Sequence, residues 1–341
     1  MIIGKPKKKS RALPIILLAV AAVAGLTVLK LVHFWHSPAQ EPGHEVVLTV
    51  PAGATFVAAS QLLVDAGVVK SLKPFVLLGK VKGLSSSIQA GELMFRTDMT
   101  PLEVLDILVR GKAVSYPVTI PEGYNSSQIA ALLAGRGIVD EERFKALIGD
   151  ADFARSLDVP ADGLEGFLFP DTYSLPRGLS EEEILARMVK RYKEVFNARM
   201  AERAREIGMT ELEVVTLASI VEKETGAPEE RRHVSAVFHN RLKKGYRLQT
   251  DPTVIYGIKE FNGNLTKKDL RTDHPYNTYT RGGLPHGPIA NPGEASILAA
   301  LYPEDVPSLY FVARGDGTHV FSNTLVEHNQ AVKIYQLGEI P

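Results

Sequence analysis

Two stretches of the chain read alike: Val50 to Val69, VPAGATFVAASQLLVDAGVV, and Ile120 to Val139, IPEGYNSSQIAALLAGRGIV. Laid over each other, Pro51 falls on Pro121, Gly53 on Gly123, Leu62-Leu63 on Leu132-Leu133 and Gly67 on Gly137. Each copy predicts a strand end, a Pro-x-Gly turn, an amphipathic helix, and a glycine stop followed by two β-branched residues. Two copies fall short of a solenoid, which needs three, so the pattern predicts small helix–strand units side by side. A third helix opens at Thr100 with TPLE, a capping signature with Pro at its first position.

Beyond Glu141 the texture changes. EERFKALIGDADFARSL reads as helical, and GLEGFLFPDTYSLPRG is too irregular for either regular element. Helices are predicted at about 180–208, 210–225 and 228–244, followed by a loop-rich stretch from Gly245 to Asn291. Asn291-Pro-Gly-Glu294 reads as the start of another helix. Ser308–Ala313 and Thr318–Ser322 read as a hairpin, and Leu325–Leu337 as a last helix. Many helices with few short strands predict an α+β architecture rather than a doubly wound sheet.

The 341 residues hold 39 Lys+Arg against 39 Asp+Glu, so the global basic field of a nucleic-acid binder is absent. With no cysteine, a disulfide scaffold, thiolate metal sites and a thiol nucleophile are all excluded. Locally the balance breaks. Lys5, Lys7, Lys8, Lys9 and Arg11 precede an uncharged run from Ala12 to Leu29, about 27 Å of helix, close to the thickness of a bilayer's hydrocarbon core. Trp35 sits where an interfacial aromatic belongs, and acids follow the span at Glu41 and Glu45. Together they predict a single-pass anchor with a cytoplasmic N-terminus and an exported remainder. Ala22-Val23-Ala24 resembles a signal-peptide cleavage site, but Leu26 to Leu29 continue the apolar run past it. His36 to His44, HSPAQEPGH, reads as a polar tether.

The common nucleotide, serine-hydrolase and zinc-protease signatures are missing. The nine histidines show no ligand spacing, and His233 and His239 read as surface residues of a helix. ELEVVTLASIVEKETG, Glu211 to Gly226, is more informative. With Glu224 at zero on a helical wheel, Leu217 lies about 20° away, Ile220 about 40°, Val221 about 60° and Val214 about 80°, whereas Glu222 lies about 160° round. Glu224 therefore projects from the apolar side, at the negative end of the helix dipole. Both conditions favour its protonated form, which a general acid needs. A buried glutamate paired to an arginine has the same sequence pattern. The loops RLQTDPTVIYG and HPYNTYTRGGLPHGPIANPG add amides, hydroxyls and tyrosines, a mixture suited to sugars.

SIVEKET, LQTDPTVIYG, YNTYT, GLP-x-GPI and EGFLFPDTY together resemble the MltG/YceG-like endolytic murein transglycosylases over essentially the whole chain. His286 stands where members of that family often carry Pro. The resemblance implies a LysM-like α/β module before a mixed helical and short-strand catalytic domain. The organisation expected is then a basic tail (1–11), a transmembrane anchor (12–32), a linker (33–46), a LysM-like module (47–115) and a YceG-like catalytic domain (116–341). It also implies that Glu224 is the catalytic residue, the same glutamate the helical wheel selects. Glu222, Gln249, Asp251, Tyr256, Asn277 and Tyr279 are the candidate orienting or glycan-binding groups. No metal or cofactor is expected. The implied activity is non-hydrolytic cleavage of the MurNAc–GlcNAc bond in nascent peptidoglycan at the bacterial inner membrane, beside peptidoglycan synthases and without a nucleic-acid partner. A non-catalytic glycan-binding or division scaffold, and an ordinary hydrolase, are the rival expectations.

Overall fold

The computed structural model describes residues 12–51, 53–111 and 114–338. The expected basic tail, 1–11, lies outside them. The chain divides into two compact units, Met1–Tyr116 with Pro176–Gly178, and Pro117–Leu175 with Leu179–Pro341.

The first unit begins with helix α1 (Ala12–Trp35), whose stretch Leu17–Trp35 is long and apolar enough to cross a membrane. Leu18 and Leu29 are about two-thirds exposed, as side chains meant for lipid rather than for a protein core must be. Trp35 does more than mark an interface: its indole nitrogen donates to the Pro74 carbonyl at 3.2 Å. Strand β1 (Glu45–Val50), helices α2 (Phe56–Asp65) and α3 (Leu72–Val81), strand β2 (Gly91–Arg96) and helix α4 (Pro101–Arg110) follow. The two strands pair antiparallel from Glu45↔Arg96 to Val50↔Gly91. Phe56, Leu63, Phe75, Leu78, Leu93, Phe95 and Leu108 fill the core of this unit. The TPLE signature is a true capping box, Thr100 and Glu103 each satisfying the other's backbone, an arrangement worth about 1 kcal/mol. The stretch read as a polar tether makes bonds within this unit. Gln40 donates to the Thr97 carbonyl, and His44 and Thr97 exchange backbone and side-chain bonds.

Strand β3 (Ser115–Thr119) leads into the second unit, which holds α5 (Ser126–Ala134), α6 (Glu141–Ile148), α7 (Ala151–Ser156), β4 (Thr172–Pro176), α8 (Glu181–Val195), α9 (Ala198–Glu206), α10 (Glu211–Glu224), α11 (Arg231–Lys243), α12 (Asp251–Gly257), α13 (Glu294–Leu301), the hairpin β5 (Tyr310–Ala313) and β6 (His319–Ser322), and α14 (Leu325–Tyr335). Strands β3 and β4 form one two-stranded ribbon, β5 and β6 another. This is a mixed helical and short-strand domain, as the α+β reading expects.

The echoed stretches fold alike. Thr55 and Asn125 cap α2 and α5, and the glycine pairs Gly53/Gly123 and Gly67/Gly137 all adopt left-handed backbone, which explains why glycine recurs there. Several details differ from the sequence reading. The segment 163–178, read as too irregular for either regular element, holds strand β4, and the loop-rich stretch 245–291 contains helix α12. The expected helix 180–208 breaks between α8 and α9, because the Asn197 side chain accepts from Arg199 and Met200 and starts a new helix. Asp150 does the same between α6 and α7. Asn291 does not start α13; Gly293 occupies the capping position, while buried Asn291 binds the Leu168 amide at 2.8 Å and the Tyr124 carbonyl at 3.0 Å.

Helix α10 lies at the centre of the unit, packed against α9, α11, α12 and α13. Every residue from Val214 to Val221 is buried, so over two turns it has no wet face at all. The Ser219 hydroxyl within this stretch donates to the Thr216 carbonyl and accepts from the Ile289 amide. The helix becomes partly exposed from Glu222 onward and ends at Glu224.

Candidate active site

Glu224 is the last residue of α10, where helix carbonyls run out of partners and Thr225 turns the chain away in extended conformation. Its carboxyl accepts a hydrogen bond from the Thr250 hydroxyl. Thr250 is itself fixed: its amide donates to Thr278 Oγ1 at 3.1 Å, and its carbonyl accepts from Thr253 at 2.7 Å. The three buried threonines therefore bind the start of α12 to the YNTYT loop and present one hydroxyl to the acid.

Burial pushes the Glu224 carboxyl above the usual carboxylate range. The Thr250 hydrogen bond and the more distant charges of His319 and Arg241 oppose that rise, while Asp251 adds to it. Desolvation wins. A carboxyl that keeps its proton yet can release it to a neighbour suits general acid and then general base work. Arg241 is held off the acid by its own bonds to the carbonyls of Leu309 and Leu248. His319 donates through Nδ1 to Glu230 Oε2 at 2.7 Å, and its amide donates to the other oxygen of the same carboxylate.

The other candidates separate into three groups. Asp251 opens α12 beside Thr250 and accepts from the Tyr279 hydroxyl at 2.6 Å, so these two stand with Glu224. Gln249 also adjoins the acid's partner; it is exposed and holds left-handed backbone, φ 50°, a conformation rare for a residue with a side chain. Asn277 is wholly buried, its amide nitrogen within bonding reach of the Asp269, Leu270 and Thr272 carbonyls and its oxygen accepting from Tyr279, so it shapes the loop from within.

Two candidates lie elsewhere. Glu222, expected as a substrate contact, is only 7% exposed at its side chain, ion-paired to Arg231 and accepting from the Gly293 amide. It ties α10 to the start of α13. Tyr256, at the far end of α12, donates to Glu165 at 3.0 Å rather than turning toward Glu224. His233 and His239 are not surface residues either. His233 stacks on Phe321 and bonds Ser308 and Glu304, and His239 meets the Ala300 carbonyl.

Thr250, Arg241 and His319 were not selected from sequence. Thr250 sits between two residues that were, and only the loop's fold turns its hydroxyl to the acid. Among the described residues no group of three or more His, Asp and Glu is placed to hold a metal.

A central buried helix thus ends in a carboxyl raised by burial, with a hydroxyl donor and an Asp–Tyr pair beside it. The YceG-like family model matches residues 48–334, and the chain belongs to that family. It is 35% identical over 309 residues to the endolytic murein transglycosylase of Bacillus subtilis (strain 168), covering 85% of this chain and 84% of the relative. Identity to the endolytic murein transglycosylase of Streptococcus pneumoniae serotype 2 (strain D39 / NCTC 7466) is 28% over 323 residues, 84% of this chain and 58% of that one. A 2.6 Å crystal structure of a putative YceG-like protein from Listeria monocytogenes superposes with a TM-score of 0.58 at 33% identity, over 84% of this chain and 99% of the other. The family resemblance read from SIVEKET, LQTDPTVIYG and YNTYT is thereby shown.

Proposed function

We propose that the protein is a membrane-anchored endolytic lytic transglycosylase with Glu224 as its single acid–base residue. The observation that carries this reading is the Glu224 carboxyl, raised by burial and held by Thr250 at the end of α10. Kinship with named endolytic murein transglycosylases supports the substrate class.

Glycosidases ordinarily use two carboxylates. Here one suffices, because the nucleophile belongs to the substrate. Protonated Glu224 gives its proton to the oxygen linking MurNAc C1 to GlcNAc, and that bond breaks as the MurNAc ring takes on oxocarbenium character. The resulting carboxylate accepts the proton of the MurNAc 6-hydroxyl as O6 closes on C1. The product is a 1,6-anhydro end, Glu224 finishes protonated, and no water enters. The ring-closing hydroxyl gains its advantage from proximity. Thr250 stabilises the carboxylate formed midway, and Asp251 with Tyr279 orients the sugar. Arg241 and His319 lend positive potential to the same moment of the cycle.

The anchor holds the site near the zone of strand synthesis, with the N-terminus cytoplasmic and the larger part of the chain outside the membrane, which raises the local concentration of nascent strands. The segment 47–115 serves as a LysM-like glycan-binding module; the separate apolar core of the first unit supports its treatment as a module. Cleaving growing strands beside their synthases sets strand length.

Incubation with uncrosslinked glycan and mass spectrometry of the ends tests the reading. Anhydro ends from the wild type support it; reducing ends carrying labelled water oxygen indicate a hydrolase, and intact strands indicate a glycan-binding scaffold.

A further inference from the structure

A pocket of about 690 Å³ in the second unit has a lining that does not include Glu224. Its lining includes Glu165, Tyr256, Tyr276 and His286, with Lys145 and Arg155 from α6 and α7. Glu165 accepts from the Ser126 amide, from Tyr256 and from the Asn291 amide nitrogen. All of these donors are neutral, so none of them offsets the charge of the carboxylate. Among the described residues no cation pairs with Glu165, and burial pushes its carboxyl up to about 7. The site thus holds a buried carboxyl short of one positive charge, an arrangement that is costly until a cation completes it.

The rings beside it suit such a cation. Tyr256 and Tyr276 meet edge to face, centroids 4.8 Å apart, and both line the pocket with the carboxyl. Tyrosine faces and a carboxylate together recognise an ammonium. The remaining charges of the lining are Lys145, Arg155 and the exposed Asp162. Lys145 and Arg155 are engaged only with acids of their own helices, Glu141, Glu142 and Asp152, exposed pairs of the kind that exchange partners readily. They suit a carboxylate.

We infer that this pocket binds a zwitterionic amino-acid unit, its ammonium against Glu165 and the two tyrosines and its carboxylate toward Lys145 and Arg155. Resting on the function proposed above, the natural source is the diamino-acid residue of the peptide stem carried by the glycan strand. Helix α12 starts at Asp251 beside the acid's partner and carries Tyr256, one residue before its end, in this pocket, so one seven-residue helix connects stem recognition to the cleavage site.

The test is calorimetric titration of the full chain in detergent micelles with the tripeptide Ala-γ-Glu-Lys. Binding is expected, with at least a tenfold loss on acetylating the lysine amine. A similar loss is expected in Glu165→Gln and in Ser127→Trp, which crowds the pocket mouth from an exposed position of α5 and leaves the Glu165 bonds intact. Absence of binding, equal binding of the acetylated peptide, or undiminished binding in both variants overturns the inference. Binding needs no turnover, so it can fail while Glu224-dependent cleavage stands, and stand if cleavage fails. Comparing cleavage of stem-bearing with stem-stripped strands separates the strand-borne stem from a free peptide as the source: a lower KM for the former, lost in Ser127→Trp, is expected, and equal KM values contradict the strand-borne assignment.

Discussion

The Thr250 hydroxyl donates to the carboxyl of Glu224 across 26 residues of sequence, and Thr250 itself is locked by Thr253 and Thr278. A donor at that point favours the ionised acid and opposes the burial that keeps it protonated. Activity that begins with proton donation falls as pH rises through the acid's pKa. Thr250→Val removes the donor, so the fall moves to higher pH. A pH–rate profile measures this directly, and an unmoved or downward-shifted limb contradicts the role given to Thr250.

Asp251 acts with the opposite sign. Its charge raises the Glu224 carboxyl, so Asp251→Asn lowers it and moves the same limb to lower pH. Tyr279→Phe frees Asp251 from its 2.6 Å bond and is expected to raise KM more than it lowers kcat. Shifts of equal sign in Thr250→Val and Asp251→Asn would show that neither acts through the acid.

Glu165 makes a separate prediction about stability. Its folded-state pKa, about 7, lies above the ordinary 4.5, so the folded chain binds the proton more tightly than the unfolded chain does. Stability therefore declines as pH rises from about 4.5 through about 7, by up to roughly 3 kcal/mol at the high end. Unfolding midpoints of wild type and Glu165→Gln across pH 5 to 8 should converge at the acid end and separate toward pH 8, with the variant flatter. Parallel curves would contradict this.

Gly166, in EGFLFPDTY, has φ 89°, and a methyl group there meets Pro288 at 2.5 Å and Val215 of α10 at 2.8 Å. Both the backbone and the space require glycine. Gly166→Ala should cost about 1–3 kcal/mol or more, read as a lowered midpoint in thermal unfolding.

Much of this was legible where the signal is local. The Thr100–Glu103 capping box, the paired glycine turns of the echo and the α10 helix all follow from neighbours in sequence. The apolar setting of Glu224 was legible for a subtler reason. From Val214 to Val221 the helix is buried all round, so the wheel has no true wet face over that stretch, yet three residues further on Glu224 turns back toward the apolar side while Lys223 is exposed. What depends on distant partners was not legible. His233 and His239 look polar and external until Ser308 and Ala300, 75 and 61 residues on, arrive beside them. Tyr256 reads as a companion of Asp251, but a helix of seven residues points the two at different places. Asn291 has the composition of a helix cap and serves instead as a buried cross-link to Glu165 and Leu168.

The most direct measurement is the end-group analysis of glycan strands treated with wild type and with Glu224→Gln, which preserves size and hydrogen bonding but has no proton to cycle. Anhydro ends from the wild type and their loss by at least a hundredfold in a variant of unchanged thermal stability are predicted, in line with the scale of general acid–base effects. Anhydro ends produced at comparable rates by Glu224→Gln would contradict the account.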